Sequence, residues 1–470
     1  MNERLPPCFK AYDVRGRVPD DLDEALAEGV GRAFVVLLLA DRASGLGHDQ
    51  SRTGNRMVVA VGRDVRESSP MLANALIRGL RRGGADVLDL GLCGTEMIYF
   101  ATFNRGLDGG IMVTASHNPK GYNGLKLVRV GARPVSGDTG LHDLGRAAVK
   151  GGLPDAPVPG NLTTLDITDD FVAHLLTWVD IPSLKPLTIV VDAGNGCAGP
   201  VVRRLGRNLP FRIVESRFEP DGTFPTGVPN PLLPGNRTFC ADAVRKAGAA
   251  FGVAFDGDFD RCFFFDGNGD FVEGYYLVGL LATQALRMAP GSRIIHDPRL
   301  TWNTVELVTA AGGTPVCSKT GHAFIKERMR TENAVYGGEM SAHHYFRRFG
   351  YCDSGMIPWL LVAEHLSRTG GTLREAIGDR MDAFPCSGEI NRKVEDIETA
   401  VDAVRTRYLP SAKAQDTTDG LSLEFRNWRF NLRGSNTEPL LRLNVETRGD
   451  RELLEMMTLE LLGVIGGDEA

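Results

Sequence analysis

Met57-Val58-Val59-Ala60-Val61-Gly62 is a continuous run of small and β-branched apolar residues closed by a glycine. A short apolar run bounded by a polar stretch reads as a buried strand. Behind it come a polar loop at 63–69, a helical pattern over 70–83 and a second strand over 85–90. Strand, loop, helix, strand in this order is a βαβ unit with a right-handed crossover. It predicts a mostly parallel sheet covered by helices.

The pattern returns twice. At 187–216 the strand Thr188-Ile189-Val190-Val191 leads into the loop Asp192-Ala193-Gly194-Asn195-Gly196, a helix near 199–205 and a strand near 212–214. At 292–318 the strand Arg293-Ile294-Ile295-His296 precedes a loop at 297–303, a helix over 304–311 and a strand over 314–317. Three copies predict three homologous α/β domains. Each copy is followed by one more short apolar strand, at 110–113, 251–255 and 333–336, that opens into a loop dense in functional side chains. Ligands of open α/β sheets bind at the carboxyl ends of strands, so the three loops face one cleft if the domains surround it. The stretch 151–160, rich in glycine and proline, reads as a linker, and Asp266-Gly267-Asn268-Gly269 as a hairpin turn. Beyond 381 the repeat stops. Residues 387–391, a helix over 395–408, strands over 421–425, 428–432 and 440–446, and a helix over 452–465 form a smaller α+β domain. The expected fold is three mixed-sheet α/β domains plus a C-terminal α+β domain around a central cleft. The expected divisions are 1–155, 156–262, 263–381 and 382–470. Upstream of the first copy, 9–16 reads as a strand into a glycine turn and 22–41 as an amphipathic helix.

A chain of 470 residues is too long for one core and long enough for several domains. With 43% hydrophobic and 24% charged residues it has the composition of a soluble globular protein. A net charge of -6 without a basic run argues against nucleic-acid binding, yet leaves room for an anionic small substrate met by a local group of arginines. The eight cysteines form no C-x-x-C pair, which suggests reduced thiols rather than a zinc or redox motif. The first ten residues lack the apolar core of a signal peptide. The longest apolar run, 34–40, is far short of a membrane span, so a cytoplasmic protein with no membrane association is expected.

Three loops carry the chemistry. Thr114-Ala115-Ser116-His117-Asn118-Pro119 leaves a serine beside a histidine and an asparagine at a strand end. Alone, it reads more readily as a polar turn. Asp256-Gly257-Asp258-Phe259-Asp260-Arg261 sets three carboxylates at alternate positions between apolar strands. An EF-hand would need glycine at loop position 6 and glutamate at 12, where this chain has Arg261 and Gly267. Three carboxylates in such a hairpin repel one another unless a cation or Arg261 offsets them. Magnesium suits the site, because it accepts few carboxylates and takes its other ligands from phosphate and water. Arg433-Gly434-Ser435-Asn436-Thr437-Glu438-Pro439 offers a guanidinium, two hydroxyls and an amide in one turn, a donor surface for a phosphate dianion. No G-x-x-x-x-G-K-[ST] loop and no G-x-S-x-G elbow is present, which counts against nucleotide hydrolysis and esterase chemistry. A serine loop, a metal loop and a phosphate loop together point to phosphoryl transfer through a serine.

With those loops, Phe9-Lys10-Ala11-Tyr12-Asp13-Val14-Arg15-Gly16 and Gly338-Glu339-Met340-Ser341-Ala342-His343 complete a set of five motifs. In this order, over essentially the whole chain, the set strongly resembles the α-D-phosphohexomutase family. The resemblance implies Ser116 as the phosphoserine and as a metal ligand with Asp256, Asp258 and Asp260. It implies Arg261 and Lys126 near the phosphoserine, with Lys126 or His117 as acid or base. Glu339 and Ser341 resemble the sugar-hydroxyl contacts, and Arg433, Ser435, Asn436 and Thr437 the site of the phosphate that is not transferred. Tyr12, Arg15, His322 and His343 are further substrate-site candidates. Gly338-Glu339-Met340-Ser341 resembles the branch acting on mannose and glucose phosphates more than the glucosamine branch, which tends to have glutamine in place of Met340. Residues 338–358 look closest to the bacterial enzymes that feed GDP-mannose synthesis. Arg299 stands where the resemblance leads one to expect a sugar-contacting lysine.

The implied activity is reversible exchange of mannose 1-phosphate and mannose 6-phosphate through a hexose 1,6-bisphosphate, which also serves as activator, with hexose phosphates as ligands and a monomer or weak homo-oligomer as the assembly. Two rivals remain at this stage. In a phosphatase, water would resolve the phosphoserine; a sugar-phosphate-binding protein would have no need of a nucleophile.

Overall fold

A computed structural model describes residues 5–46, 56–434 and 440–469. The chain divides into a unit of 1–271 with 348–368, and a unit of 272–347 with 369–470.

In the first unit, the strands Val14–Arg17, Tyr122–Arg129, Gly109–Val113, Val58–Arg63, Asp86–Leu92 and Leu162–Thr164 lie in that order in one mixed sheet. Val58–Arg63 is parallel to both its neighbours, and Gly109–Val113 turns back antiparallel into Tyr122–Arg129. The helix Glu24–Ala43 starts at Asp23, whose carboxylate accepts the Leu26 N–H, and Ser69–Arg82 starts with proline in its first turn. These helices pack closely because glycines meet at the crossing. A Cβ on Gly79 would stand 2.0 Å from the Glu28 carbonyl oxygen, so no larger residue fits there without moving a backbone. The second sheet runs Cys262–Phe265, Phe251–Phe255, Thr188–Asp192, Arg212–Ser216, with the same alternation of one antiparallel and two parallel pairings.

In the second unit, His344–Phe346, Tyr336–Gly338, Arg293–His296 and Thr314–Cys317 repeat that order and those directions. All three repeats thus place the functional loop in the same hairpin, between a parallel central strand and its antiparallel return. Each hairpin holds one non-glycine residue in the left-handed region: Ser116 at φ 49°, Phe259 at φ 48° and Ala342 at φ 70°. The fourth sheet is antiparallel, ordered Ala414–Asp416, Leu421–Glu424, Trp428–Gly434, Leu441–Thr447, Ile390–Lys393, Asp468–Glu469. The helices Ile397–Tyr408 and Arg451–Ile465 contribute Val404 and Leu461 to its core.

The α/β plus α+β architecture expected from sequence is the one observed, with several corrections. Each repeat contains a second helix that the pattern did not reveal: Thr95–Asn104, Thr238–Ala247 and His322–Glu332. Thr95–Asn104 is buried from Thr95 to Thr102, so it has no polar face to create a helical period. The first strand is Val14–Arg17, with Phe9 making only an isolated bridge to Val14. A division at 262 would cut the hairpin of the second sheet, since Cys262–Phe265 pairs with Phe251–Phe255. Residues 348–368 group with the first unit. There Ser354 and the Met356 N–H hydrogen-bond to the buried Glu96 carboxylate.

Candidate active site

Two constellations emerge, one in each unit. The first is built on the hairpins of the first two repeats. Ser116 is buried, and its backbone N–H donates to Thr114 Oγ1 at 2.9 Å, which turns the chain at the strand end. Its Oγ donates to Asp256 Oδ2 at 2.6 Å, lies 3.1 Å from His117 Nδ1 and accepts from Arg261 Nη2 at 3.4 Å. Arg261 Nη2 also hydrogen-bonds His117 Nδ1. A guanidinium only donates, so His117 Nδ1 is an acceptor in this arrangement and its ring proton sits on Nε2. Gly257 lets the hairpins meet, since a Cβ there would come 2.7 Å from the Ser116 carbonyl oxygen.

The three aspartates are buried, and cations hold their outer oxygens. Arg261 donates to Asp256 Oδ2 through Nε at 2.9 Å and Nη2 at 2.8 Å. Lys126 donates to Asp258 Oδ2 at 2.7 Å and Asp260 Oδ2 at 2.6 Å. Burial alone would pull Lys126 down, but Asp258 and Asp260 outweigh it and hold the ammonium above its ordinary value. The same pairing overcomes burial at Asp258 and holds its carboxyl below the usual range. The remaining oxygens, Asp256 Oδ1 and Asp258 Oδ1, are buried with no hydrogen-bond partner among the described residues. Oxygens of Asp256, Asp258 and Asp260 come within 4.8 Å of one another. Buried acceptors without donors, clustered on three hard ligands, fit a divalent cation.

Arg15 from the first strand donates to Asn118 Oδ1 at 2.6 Å and to Asp13 Oδ2 at 2.5 Å, bracing the serine loop. Tyr12 is half-buried in the bend before that strand. Sequence reasoning missed two further supports. Thr95 Oγ1 donates to Asp258 Oδ2 at 2.5 Å. Arg66, 1% exposed, donates to the carbonyls of Ser116, Asn118, Pro119 and Tyr122. The only sequence signal for Arg66 is its place in the polar loop after the first strand.

The second constellation lies in the second unit. Glu339 is buried; its Oε1 accepts from the Gly321 N–H at 2.9 Å and its Oε2 from the Tyr345 hydroxyl at 2.6 Å. Arg299 bridges Asp297 Oδ2 at 2.7 Å, Ser341 Oγ at 3.4 Å and Glu389 Oε2 at 3.3 Å. Arg299 therefore belongs to this group even though lysine was expected at its position. His322 and His343 are half-buried, with ring centroids 6.5 Å apart. Arg433 is buried and donates to Glu389 Oε2 at 3.1 Å. Ser435, Asn436 and Thr437 lie outside the described residues.

Four family descriptions match the chain in order. Phosphoglucomutase/phosphomannomutase α/β/α domain I covers residues 7–141, domain II 169–269, domain III 273–384 and the C-terminal domain 389–461. The chain belongs to the phosphoglucomutase/phosphomannomutase family of phosphohexomutases. It is 54% identical over 465 residues to a phosphomannomutase of Salmonella montevideo, spanning 97% of this chain and 98% of that one. It is 56% identical over 462 residues to a protein of Xanthomonas campestris pv. campestris named phosphohexose mutases, spanning 98% and 99%. Among solved structures it is similar to a phosphoglucomutase/phosphomannomutase family protein of Burkholderia thailandensis, with TM-score 0.85, 31% identity and 98% of both chains covered.

Proposed function

We propose that the protein is a phosphomannomutase that interconverts mannose 1-phosphate and mannose 6-phosphate through a phosphorylated Ser116 and a hexose 1,6-bisphosphate. The observation that carries this reading is the Ser116 hydroxyl, 2.6 Å from Asp256 Oδ2, on a carboxylate whose other oxygen is buried without a donor. Such surroundings suit a serine whose oxygen is to carry a phosphoryl group beside a metal. A divalent ion, magnesium in this reading, held by Asp256, Asp258, Asp260 and phosphorylated Ser116, would offset the charge of the transferring group.

Phosphorylated Ser116 gives its phosphoryl group to the free hydroxyl of a bound hexose phosphate: the P–Oγ bond breaks as the bond to the sugar oxygen forms. The sugar hydroxyl gives up its proton as this bond forms and the leaving Oγ takes one up, with Lys126 or His117, whose Nδ1 stands 3.1 Å from Oγ, as the acid or base. The bisphosphate turns over, and Ser116 takes back the other phosphoryl group. Arg261 and Lys126 hold positive charge against the transferring group throughout. Glu339 fixes sugar hydroxyls common to both poses, with Ser341, His322 and His343 beside it; Arg433, with Ser435, Asn436 and Thr437, holds the phosphate at rest. Tyr12 and Arg15 complete the substrate contacts. The enzyme acts in the cytoplasm as a monomer or weak homo-oligomer and is primed by hexose 1,6-bisphosphate. Among the described residues no helix is long and apolar enough to cross a membrane.

The test is incubation with mannose 1-phosphate, magnesium and a trace of hexose 1,6-bisphosphate, followed by phosphorus NMR. Mannose 6-phosphate is expected, with Ser116→Ala inactive. Release of free phosphate alone would mean a phosphatase, and no change a binding protein. The relative named for phosphohexoses at large favours one companion measurement, kcat/KM on glucose 1-phosphate.

A further inference from the structure

Arg433 and Arg442 are directly opposite each other in the ladder between Trp428–Gly434 and Leu441–Thr447. Like charges at facing positions of a sheet repel, so the pair needs an anion. Glu389, immediately before the strand Ile390–Lys393, supplies it. Its Oε1 is 3.2 Å from Arg442 Nη1, and its Oε2 takes Arg433 Nη2 at 3.1 Å and Arg299 Nη1 at 3.3 Å. One carboxylate serves three guanidiniums. It does not saturate them: the Nε atoms of Arg299 and Arg433 are buried and have no acceptor among the described residues. Burial first, and then the like charges of Arg299 and Arg442, pull Arg433 below the ordinary arginine value in spite of Glu389, whereas Arg299 has Asp297 and Glu339 beside it as well. A phosphate dianion has the charge and the oxygens for the unused donors; a carboxylate has neither in full.

We propose that Glu389 is a positioning residue of this clamp, a resident anion that keeps Arg299, Arg433 and Arg442 convergent while the clamp is empty and yields them to the phosphate of the ligand. The inference rests on reading Arg433 as the site of the resting phosphate. It explains how one site can serve a mutase. The bisphosphate must leave the clamp by one end and return by the other. Without that carboxylate, Arg433 and Arg442 would hold the dianion too long and spread apart between visits. An exchanging carboxylate speeds release and preserves the arrangement.

Inorganic phosphate is titrated calorimetrically into the full-length, magnesium-loaded protein at fixed ionic strength. Wild type, Glu389→Gln, Glu389→Asp and Arg433→Gln are compared. Glu389→Gln removes the competing charge at constant size and is expected to bind phosphate about tenfold tighter. Glu389→Asp, whose shorter side chain loosens the contacts, should tighten binding by a smaller factor, and it decides the matter if the amide variant fails to fold. Arg433→Gln should weaken binding at least tenfold. In turnover Glu389→Gln should lower kcat and KM together, because release slows, a split that a merely structural defect would not produce. If the Glu389 variants bind phosphate no tighter while Arg433→Gln loses it, the resident-anion role is wrong and the clamp stands. If Arg433→Gln binds phosphate as wild type does, the clamp reading falls and the proposal with it.

Discussion

Replacing Arg66 should disable the serine loop although Arg66 itself is not among the groups proposed to meet substrate. The guanidinium donates through Nη1 to the carbonyls of Pro119 at 2.8 Å and Tyr122 at 2.9 Å, and through Nη2 to Ser116 at 2.9 Å and Asn118 at 2.5 Å. Its Nε is 3.3 Å from Asp64 Oδ2, both side chains being 1% exposed, and the Phe224 ring packs 5.4 Å from it. These bonds hold Ser116 at φ 49°, a conformation that costs a non-glycine residue about 1–2 kcal/mol unless its surroundings impose it. Arg66→Met strands a buried carboxylate and four carbonyls. Breaking a buried pair alone costs about 3–5 kcal/mol. Arg66→Lys keeps the charge but not the four-way fork, and should cost about half as much. Urea unfolding measures the loss, and phosphoserine content after incubation with hexose 1,6-bisphosphate measures the loop; kcat should fall at least about 100-fold, the effect of a displacement near 1 Å. There is also a pH signature. Burial already raises the Asp64 carboxyl above its ordinary value, so without Arg66 it takes up a proton more readily and the penalty shrinks as pH falls. An Arg66→Met protein within about 1 kcal/mol of wild type, with normal phosphoserine content, would refute the reasoning.

Three further outcomes are expected. Gly257→Ala puts a methyl 2.7 Å from the Ser116 carbonyl oxygen and should cost about 1–3 kcal/mol and most of the turnover, with phosphate binding at Arg433 unchanged; wild-type turnover would show that the hairpins can move apart freely. Lys126→Met removes the cation that competes for Asp258 and Asp260, so magnesium should bind more tightly while turnover falls about 100-fold or more; weaker magnesium binding would argue that the lysine organises the triad rather than competing for it. His174, among Phe100, Phe103 and Phe349, is pulled down from 6.5 to about 4 by burial and by the Arg348 charge. Its folded form resists protonation, so stability is complete above pH 6.5 and declines as pH falls toward 4, by at most about 3 kcal/mol. His174→Gln should flatten that decline in urea midpoints measured from pH 4 to 7.5; an unchanged pH profile would exclude His174 as its source.

Ser116, Asp256, Asp258, Asp260 and Glu339 could be found in the chain because the hairpins that hold them sit at the ends of apolar strands. A buried strand with a polar terminus is a local pattern, and repetition makes it legible. Thr95, Arg66 and Glu389 could not be found that way. Thr95 begins a helix buried on all sides, and its partner Asp258 is 163 positions away. Arg66 looks like any arginine in a polar loop until the loop after Gly109–Val113 closes over it. Glu389 precedes an edge of the last sheet, and only the register that sets Arg433 against Arg442 makes it necessary. In sequence Arg299 stands out only as an arginine where a lysine is expected, because its role depends on Asp297, Ser341 and Glu389 meeting around it.

Sequence alone determined the repeated α/β architecture, the family and the side chains able to do phosphoryl transfer, since strand periodicity, loop composition and motif order are all local properties. Tertiary structure decided which oxygens of the acidic triad are left for a metal, which nitrogen of His117 faces the serine and which carboxylate stands among the arginines. Those depend on hydrogen bonds and charges between residues far apart in the chain, and burial makes each of them strong enough to matter.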